Sequence, residues 1–229
     1  MQIKNNIEKI QAHIQKTAID CGRSPEEVHL IGVSKRKPEE LIRAAIDAGH
    51  RDFGENYIQE AMEKIDSLGK ESARWHFIGH LQSNKARFAV KYFDLIHTVD
   101  KLKLAREIGK QAAKIGKTQD ILLQINIAEE ETKSGAGAGE VIDLARQISE
   151  LEHVSLRGLM CMPPFFADPE DARGYFRAVK TISLEIRDMD LPGVEMEHLS
   201  MGMSNDFAVA IEEGATLVRV GTAIFGSRD

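Results

Sequence analysis

Three features of this chain have the residue types and spacing to act on one small molecule. The first is the stretch Leu30-Ile31-Gly32-Val33-Ser34-Lys35-Arg36-Lys37, an apolar run that stops abruptly at a lysine followed by two more cations. An amine at the end of a buried strand, desolvated and beside other positive charges, is pushed toward its neutral, nucleophilic form, which makes Lys35 a candidate to attack a carbonyl. The second feature is a pair of glycine turns, Ser200-Met201-Gly202-Met203-Ser204 and Gly221-Thr222. Gly202 and Gly221 let backbone N–H groups approach a ligand closely, while Ser200, Ser204 and Thr222 add hydroxyl donors. Each turn leads into a helix start, worth roughly 0.3–1 kcal/mol to a nearby anion. The third is Arg219, which shares strand parity with Leu217 and Gly221 and therefore faces inward if Leu217 does. A buried cation costs several kcal/mol unless paired, so Arg219 is either half of a structural ion pair or a group that holds a ring nitrogen or an anion.

An amine and a phosphate cradle together specify a ligand carrying both a carbonyl and a phosphate. Pyridoxal 5′-phosphate and sugar phosphates both qualify. Asn56, His80, Asn126 and Met160 stand at the ends of other strand-like runs and complete the set of residues expected to line one pocket. His76 and His80 are four apart but straddle a strand end, which does not suit a metal site. Trp75 and Phe77 are expected to pack under helices, Cys161 to be a small buried residue, and Glu129 to Glu131 to be a solvated charge run.

These residues need elements to bring them together. Ile3, Ile7, Ile10 and Ile14 recur at helical spacing and predict an N-terminal helix running to about Asp20. Ser24-Pro25-Glu26-Glu27 reads as a capped helical turn with a capping-box glutamate. From there strands and helices alternate. Strands are expected at Val28 to Val33, Arg51 to Glu55, Arg74 to Ile78, Asp94 to Val99, Ile121 to Ile127, Val154 to Met160, a short run at Met196 to Leu199, and Thr216 to Val220. The intervening helices include one opened by Lys37-Pro38-Glu39-Glu40 and closed by Gly49, a polar one from about Ser83, one over Lys101 to Ile115, and one over Ser204 to Glu212. A flexible loop is expected at Glu129 to Gly139.

Eight such units predict an α/β protein built as one closed parallel (βα)8 barrel over residues 1–229, with an extra N-terminal helix. An open doubly wound sheet is the lesser alternative, and no G-x-G-x-x-G follows the first strand to support a dinucleotide fold. In a barrel the C-terminal strand ends converge on one mouth, with phosphate groups held after strands seven and eight. Lys35, Asn56, both glycine turns and Arg219 all fall at that mouth.

The 229 residues are 42% hydrophobic and 29% charged, as in an ordinary globular protein. Thirty basic against 36 acidic residues give a net charge of −6, which argues against nucleic acid as a partner. Cys21 and Cys161 lie far apart with no C-x-x-C pattern, so a reducing compartment is expected. The N-terminus lacks the apolar core of a signal peptide, and no stretch of ~18 apolar residues offers a membrane span. A cytoplasmic monomer with no membrane partner is the expectation.

Six motifs in order resemble the pyridoxal phosphate homeostasis proteins, the group also called proline synthase co-transcribed proteins. They are Val33 to Pro38, Phe53 to Tyr57, Trp75 to Lys85, Arg157 to Met160, Leu199 to Ser204 and Val218 to Gly226. The resemblance implies a barrel of the fold-type III kind, like the N-terminal domain of alanine racemase, with pyridoxal 5′-phosphate (PLP) held as a Schiff base on Lys35. It also implies Arg219 beside the pyridine nitrogen, the Ser200, Met201, Gly202 and Ser204 turn and the Gly221-Thr222 turn around the phosphate, and Asn56 in the cofactor pocket. Arg36 departs from the family, many members of which carry a small polar residue there.

Alanine racemases add a β-rich domain with a catalytic tyrosine, and this sequence ends three residues after Gly226. The resemblance accordingly implies a carrier and regulator of vitamin B6, and indirectly of amino-acid pools, with PLP-dependent apoenzymes as partners and no turnover of its own. A small racemase-like enzyme is the alternative, in which only His80 or Tyr57 offers a second acid/base group. A sugar-phosphate aldolase using Lys35 is a third reading.

Overall fold

The computed structural model describes residues 2–128 and 134–226. Eight parallel strands close into a ring. They are β1 (His29–Val33), β2 (Asp52–Glu55), β3 (Arg74–Phe77), β4 (Leu95–Val99), β5 (Gln119–Asn126), β6 (Val154–Cys161), β7 (Val194–Ser200) and β8 (Leu217–Val220). Each pairs with the next, and β8 returns to β1 through Ile31 opposite Arg219 and Gly32 opposite Val220. The barrel expected from the alternating pattern is the fold observed.

Two cores follow from strand alternation. Inward residues Ile31, Leu95, Leu122, Met160 and Leu217 form a small apolar cluster inside the ring. Outward residues such as Phe53, Trp75, Phe77 and Ile121 join the helices in a much larger one. Trp75 is fully buried against Phe53, with ring centroids 5.5 Å apart, and Phe77 meets Phe93 edge-on at 5.1 Å.

The helices are α1 (Gln2–Asp20), α2 (Glu39–Asp47), α3 (Ile58–Leu68), α4 (Ala86–Tyr92), α5 (Leu102–Ala113), α6 (Val141–Ser149), α7 (Arg173–Asp188), α8 (Phe207–Glu212) and α9 (Thr222–Phe225). The extra helix α1 buries Ile7, Ile10 and Ile14. It braces the end of the barrel that carries the glycine turns: His13 meets Phe207 edge-on, and Asn6 Nδ2 donates to the Ile224 carbonyl at 2.9 Å. Just beyond α1, Arg23 donates to the Ile211 carbonyl in the last turn of α8 and to the Ala215 carbonyl just after it.

Several boundaries differ from the sequence expectation. β7 is seven residues long, because half-buried Val194 and Met196 alternate with exposed Glu195 and Glu197 and the run looks polar in sequence. The helix expected from Ser204 begins at Phe207, since residues before it form the turn. The segment from Ser83 is a single 3-10 turn followed by α4, whose Ala86, Ala89 and Val90 are buried rather than polar. Ser24 caps its turn as expected, but Glu27 pairs with Arg23. In the expected loop after β5, Ala136–Gly137 add a short parallel pairing to β5, while the Glu129 to Glu131 run lies outside the described residues.

Candidate functional site

The Lys35 turn is held from behind by buried charge. β1 ends at Val33, and the next residue, Ser34, donates from its N–H to the Gly54 carbonyl at 3.1 Å and from its hydroxyl to Glu55 Oε1 at 2.7 Å. Lys64 Nζ, reaching in from α3, donates to the Ser34 carbonyl at 2.8 Å, to Glu55 Oε1 at 2.8 Å and to Glu60 Oε1 at 2.6 Å. Glu55 is fully buried, and burial pushes its carboxyl pKa up against the pull of Lys64. Its second oxygen, Oε2, is buried with no partner.

Lys35 itself is half-buried at the rim. Arg36 follows in the left-handed region, φ 57°, which costs a non-glycine residue roughly 1–2 kcal/mol. The surroundings hold it there. Arg36 N–H donates to Glu60, its guanidinium lies 5.4 Å from the Tyr57 ring centroid, and Nη2 donates to the Tyr57 hydroxyl at 3.2 Å. Lys37 Nζ donates to the Gly226 carbonyl at 3.0 Å, tying this turn to the end of α9.

The glycine turns stand next to Lys35 around the ring. A Cβ on Gly221 would lie 3.2 Å from the Val33 carbonyl oxygen, so this turn sits against the strand that delivers the lysine. Arg219 N–H donates to the Gly202 carbonyl at 3.0 Å, bringing the second turn alongside. Gly202 has φ +89°, and a Cβ there would stand 2.6 Å from the Ala210 Cβ and 2.9 Å from the Phe207 Cα. No other residue fits that turn undisturbed. Buried Asp206 fixes its shape by accepting from the Met203 N–H at 2.6 Å.

Not every residue of the turns faces the mouth in the same way. Ser204 and Thr222 are exposed at the rim, whereas the Met201 side chain is fully buried in the core and offers only backbone. Ser200 is also fully buried, and its oxygen is engaged by Arg219 Nη1 at 2.5 Å and by His97 Nδ1 at 2.9 Å. The hydroxyl read from sequence as a phosphate donor belongs to the barrel interior. Arg219 faces inward, as its parity with Leu217 requires, and also donates from Nη2 to the Cys161 carbonyl at 2.9 Å. Cys161 is buried, and its thiol pKa is pushed up to about 12.

On the other side of Lys35, Asn56 follows β2. Its Oδ1 is buried and has no partner. Gly79 makes room for it: a Cβ there would come within 2.1 Å of the Asn56 carbonyl oxygen. Asn56, His80, Thr98, Gln124, Asn126 and Met162 line a cavity of about 270 Å³ in the mouth. Met160, expected at the mouth, packs instead in the inner apolar cluster. Among the described residues no group of His, Cys, Asp and Glu is arranged to hold a metal ion.

Sequence reasoning missed Ser34, Glu55, Lys64 and His97. A glutamate closing a strand, with a lysine nine residues on in the next helix, is a signal that could have found the first group. His97 shares inward parity with Leu95 and was findable the same way.

Eight parallel strands, a lysine after the first, an inward arginine on the last and glycine turns after the last two define a barrel of the alanine racemase N-terminal type. The model for "Alanine racemase, N-terminal domain" matches residues 1–229. The chain belongs to this family, and within it to the pyridoxal phosphate homeostasis proteins. The protein of that name from Vibrio alginolyticus is 42% identical over 99% of this chain and 98% of its own length. The one from Escherichia coli K12 is also 42% identical, over 99% and 97%. Among solved structures, PipY of Synechococcus elongatus with PLP bound superposes with a TM-score of 0.86 at 36% identity, covering 98% of this chain and all of PipY.

Proposed function

We propose that this protein binds PLP, holds it as a Schiff base on Lys35 and releases it to other proteins, serving intracellular PLP homeostasis. The observation that carries the reading is the adjacency, on neighbouring strands of one rim, of a half-buried amine and two glycine turns, one of which admits no side chain. PLP fits these residues, and the name and bound cofactor of the relatives agree. Imine formation joins the Lys35 amine to the aldehyde carbon and expels water.

In this reading the backbone of Met201, Gly202, Ser204, Gly221 and Thr222, with the Ser204 and Thr222 hydroxyls, holds the phosphate. Ser200 acts indirectly, by anchoring Arg219. Asn56 Oδ1, a buried acceptor without a partner, gains one from the ligand. Arg219 has five N–H donors and no acceptor, so it donates to the pyridine nitrogen and cannot protonate it. When bound, PLP supplies an electron sink, and a pyridine kept neutral is a poor one. That favours a carrier over an enzyme.

The racemase-like alternative requires a proton donor and acceptor opposite Lys35. The mouth cavity offers His80 among neutral carboxamides and hydroxyls, and Tyr57 is 45% exposed with its hydroxyl bonded to Arg36. The residues present suit holding better than proton shuttling. The functional unit is a single PLP-binding barrel over 1–229, monomeric and cytoplasmic, with PLP-dependent apoenzymes as recipients. Among the described residues no helix is long and apolar enough to cross a membrane.

Borohydride reduction of the purified protein followed by peptide mass spectrometry tests the reading. A pyridoxyl mass on the Lys35 peptide, lost in Lys35→Ala, is expected. Labelling of another lysine, or trapping only after a sugar phosphate is added, overturns it. Sustained exchange of amino-acid α-protons with deuterated solvent would reinstate the racemase.

A further inference from the structure

A continuous line of side-chain hydrogen bonds crosses the inside of the barrel. Arg219 Nη1 donates to Ser200 Oγ at 2.5 Å, Ser200 Oγ lies 2.9 Å from His97 Nδ1, His97 Nε2 lies 3.0 Å from His76 Nδ1, and His76 Nε2 lies 3.1 Å from Asp52 Oδ1. Asp52 Oδ2 accepts from Arg74 at 2.7 Å. The line starts on β8 near the mouth and ends on the first residue of β2. There Asp52 and Arg74 border a polar cavity of about 380 Å³ at the N-terminal end of the strands. His97 and Ser200 are fully buried, and Arg219 and His76 nearly so.

The two ends of the line have fixed directions, because the Arg219 guanidinium only donates and the Asp52 carboxylate only accepts. Ser200 Oγ accepts from Arg219, and the line runs in one direction throughout when its single O–H points to His97 Nδ1. In that orientation His97 Nδ1 accepts and Nε2 carries the proton, donating to His76 Nδ1. His76 carries its own proton on Nε2 and donates to the Asp52 carboxylate. In this arrangement each ring donates from Nε2 and accepts at Nδ1. Burial holds the His97 pKa well below the usual histidine range, and the bonds from His76 and Arg74 hold Asp52 down at about 2, as a carboxylate that accepts.

Among the described residues the Arg219 guanidinium makes no direct ion pair: it donates to a hydroxyl and a carbonyl, and the buried Asp206 carboxylate acts on it only through space. A buried guanidinium needs compensation. We infer that Asp52, His76 and His97 are positioning residues for Arg219: the aligned chain anchored on the Asp52 carboxylate supplements the charge of Asp206 and fixes the direction of the remaining guanidinium N–H groups toward the ligand. The inference rests, for the identity of the ligand, on PLP binding at Lys35. It deepens that reading by placing determinants of the cofactor's environment at the opposite end of the barrel from Lys35.

Two measurements test it. Long-range proton–nitrogen correlation on the ligand-free protein at neutral pH is expected to show His97 and His76 each with a protonated Nε2 and a bare Nδ1. A His97 ring protonated on Nδ1, alone or with Nε2, reverses the chain and overturns the proposal whether or not PLP binds. The second measurement is PLP titration of Asp52→Asn and His97→Phe, followed by absorption. Each is expected to weaken binding at least about fivefold and to shift the absorption maximum, while borohydride still labels Lys35. Arg157→Ala is the control, because Arg157 lies on β6 off the chain and pairs with Glu195 and Glu197. Equal weakening in Arg157→Ala, or an unchanged spectrum in Asp52→Asn, overturns the proposal. Failure of the wild-type protein to label at Lys35 defeats only the PLP reading and leaves the tautomer result to decide the chain. Should His97→Phe not fold, Asp52→Asn and the wild-type tautomers suffice.

Discussion

The Nζ of Lys64 lies 2.8 Å from the carbonyl oxygen of Ser34, the residue immediately before Lys35. A buried cation on α3 thus fixes the peptide that presents the amine, and Glu55 and Glu60 fix the cation in turn.

Lys64→Met should therefore be damaging twice over. Removing one partner of a buried pair leaves Glu55 uncompensated, a loss of roughly 3–5 kcal/mol. Urea denaturation should show that loss, and Lys64→Met combined with Glu55→Gln should recover part of it. The recovered protein should still bind PLP more weakly than wild type, because the Ser34 carbonyl has lost its donor. Full affinity in the double variant would show that the pair serves stability alone.

Gly202→Ala probes the phosphate turn. The new methyl would meet Ala210 and Phe207 in a backbone conformation, φ +89°, that alanine avoids. PLP affinity should fall by about tenfold or more, whereas pyridoxal, which lacks the phosphate, should bind both proteins alike. An equal loss for both ligands would place the phosphate elsewhere.

His198 predicts how stability depends on pH. Burial, with His29, His76, Arg157 and Arg74 nearby, pushes its pKa from 6.5 down to about 4. Between those values the unfolded chain binds the proton and the folded one does not, so stability falls as pH drops through that window. The loss is on the order of 3 kcal/mol and is complete below about pH 4. His50 and His97, also shifted down by burial, add to the same trend. Asp52 acts in a separate, lower window: its depressed pKa contributes stability above about 3.8 that is lost toward about 2. Thermal melts of His198→Gln should be flatter than wild type between pH 6.5 and 4.

The two cysteines should differ sharply toward alkylating agents. Cys21 is exposed, while Cys161 is fully buried with its thiol pushed up to about 12. Iodoacetamide at pH 8 should modify one cysteine per native chain, on the Cys21 peptide, and both after denaturation. Rapid native labelling of Cys161 would mean that the interior beside Arg219 opens readily.

The barrel and its mouth were legible because they rest on local signals. Isoleucine spacing marks α1, and Lys35, Gly202, Arg219 and Gly221 each sit at a recognisable strand end. What stayed hidden depends on which strands face one another. His76 and His97 are 21 residues apart, and only closure of the ring brings His97 across to Ser200, 103 residues on. Ser200 looked like a phosphate donor because nothing in its neighbourhood along the chain announces that Arg219 and His97 take its oxygen. β7 was underestimated for a related reason: Glu195 and Glu197 alternate with only half-buried apolar partners, a pattern typical of a solvated strand face.

The seam of the barrel, where β1 meets β8, has a consequence for how the molecule comes into being. Lys35 is made early and Arg219 and Gly221 late, and the strands that carry them pair only when the ring shuts. Such contacts between distant parts of a chain carry a large loop-closure cost and form late in folding. A nascent or half-assembled chain therefore displays the lysine without its glycine turns or its arginine. Retention of cofactor is a property of the finished ring, and it reports that the last strand has docked on the first.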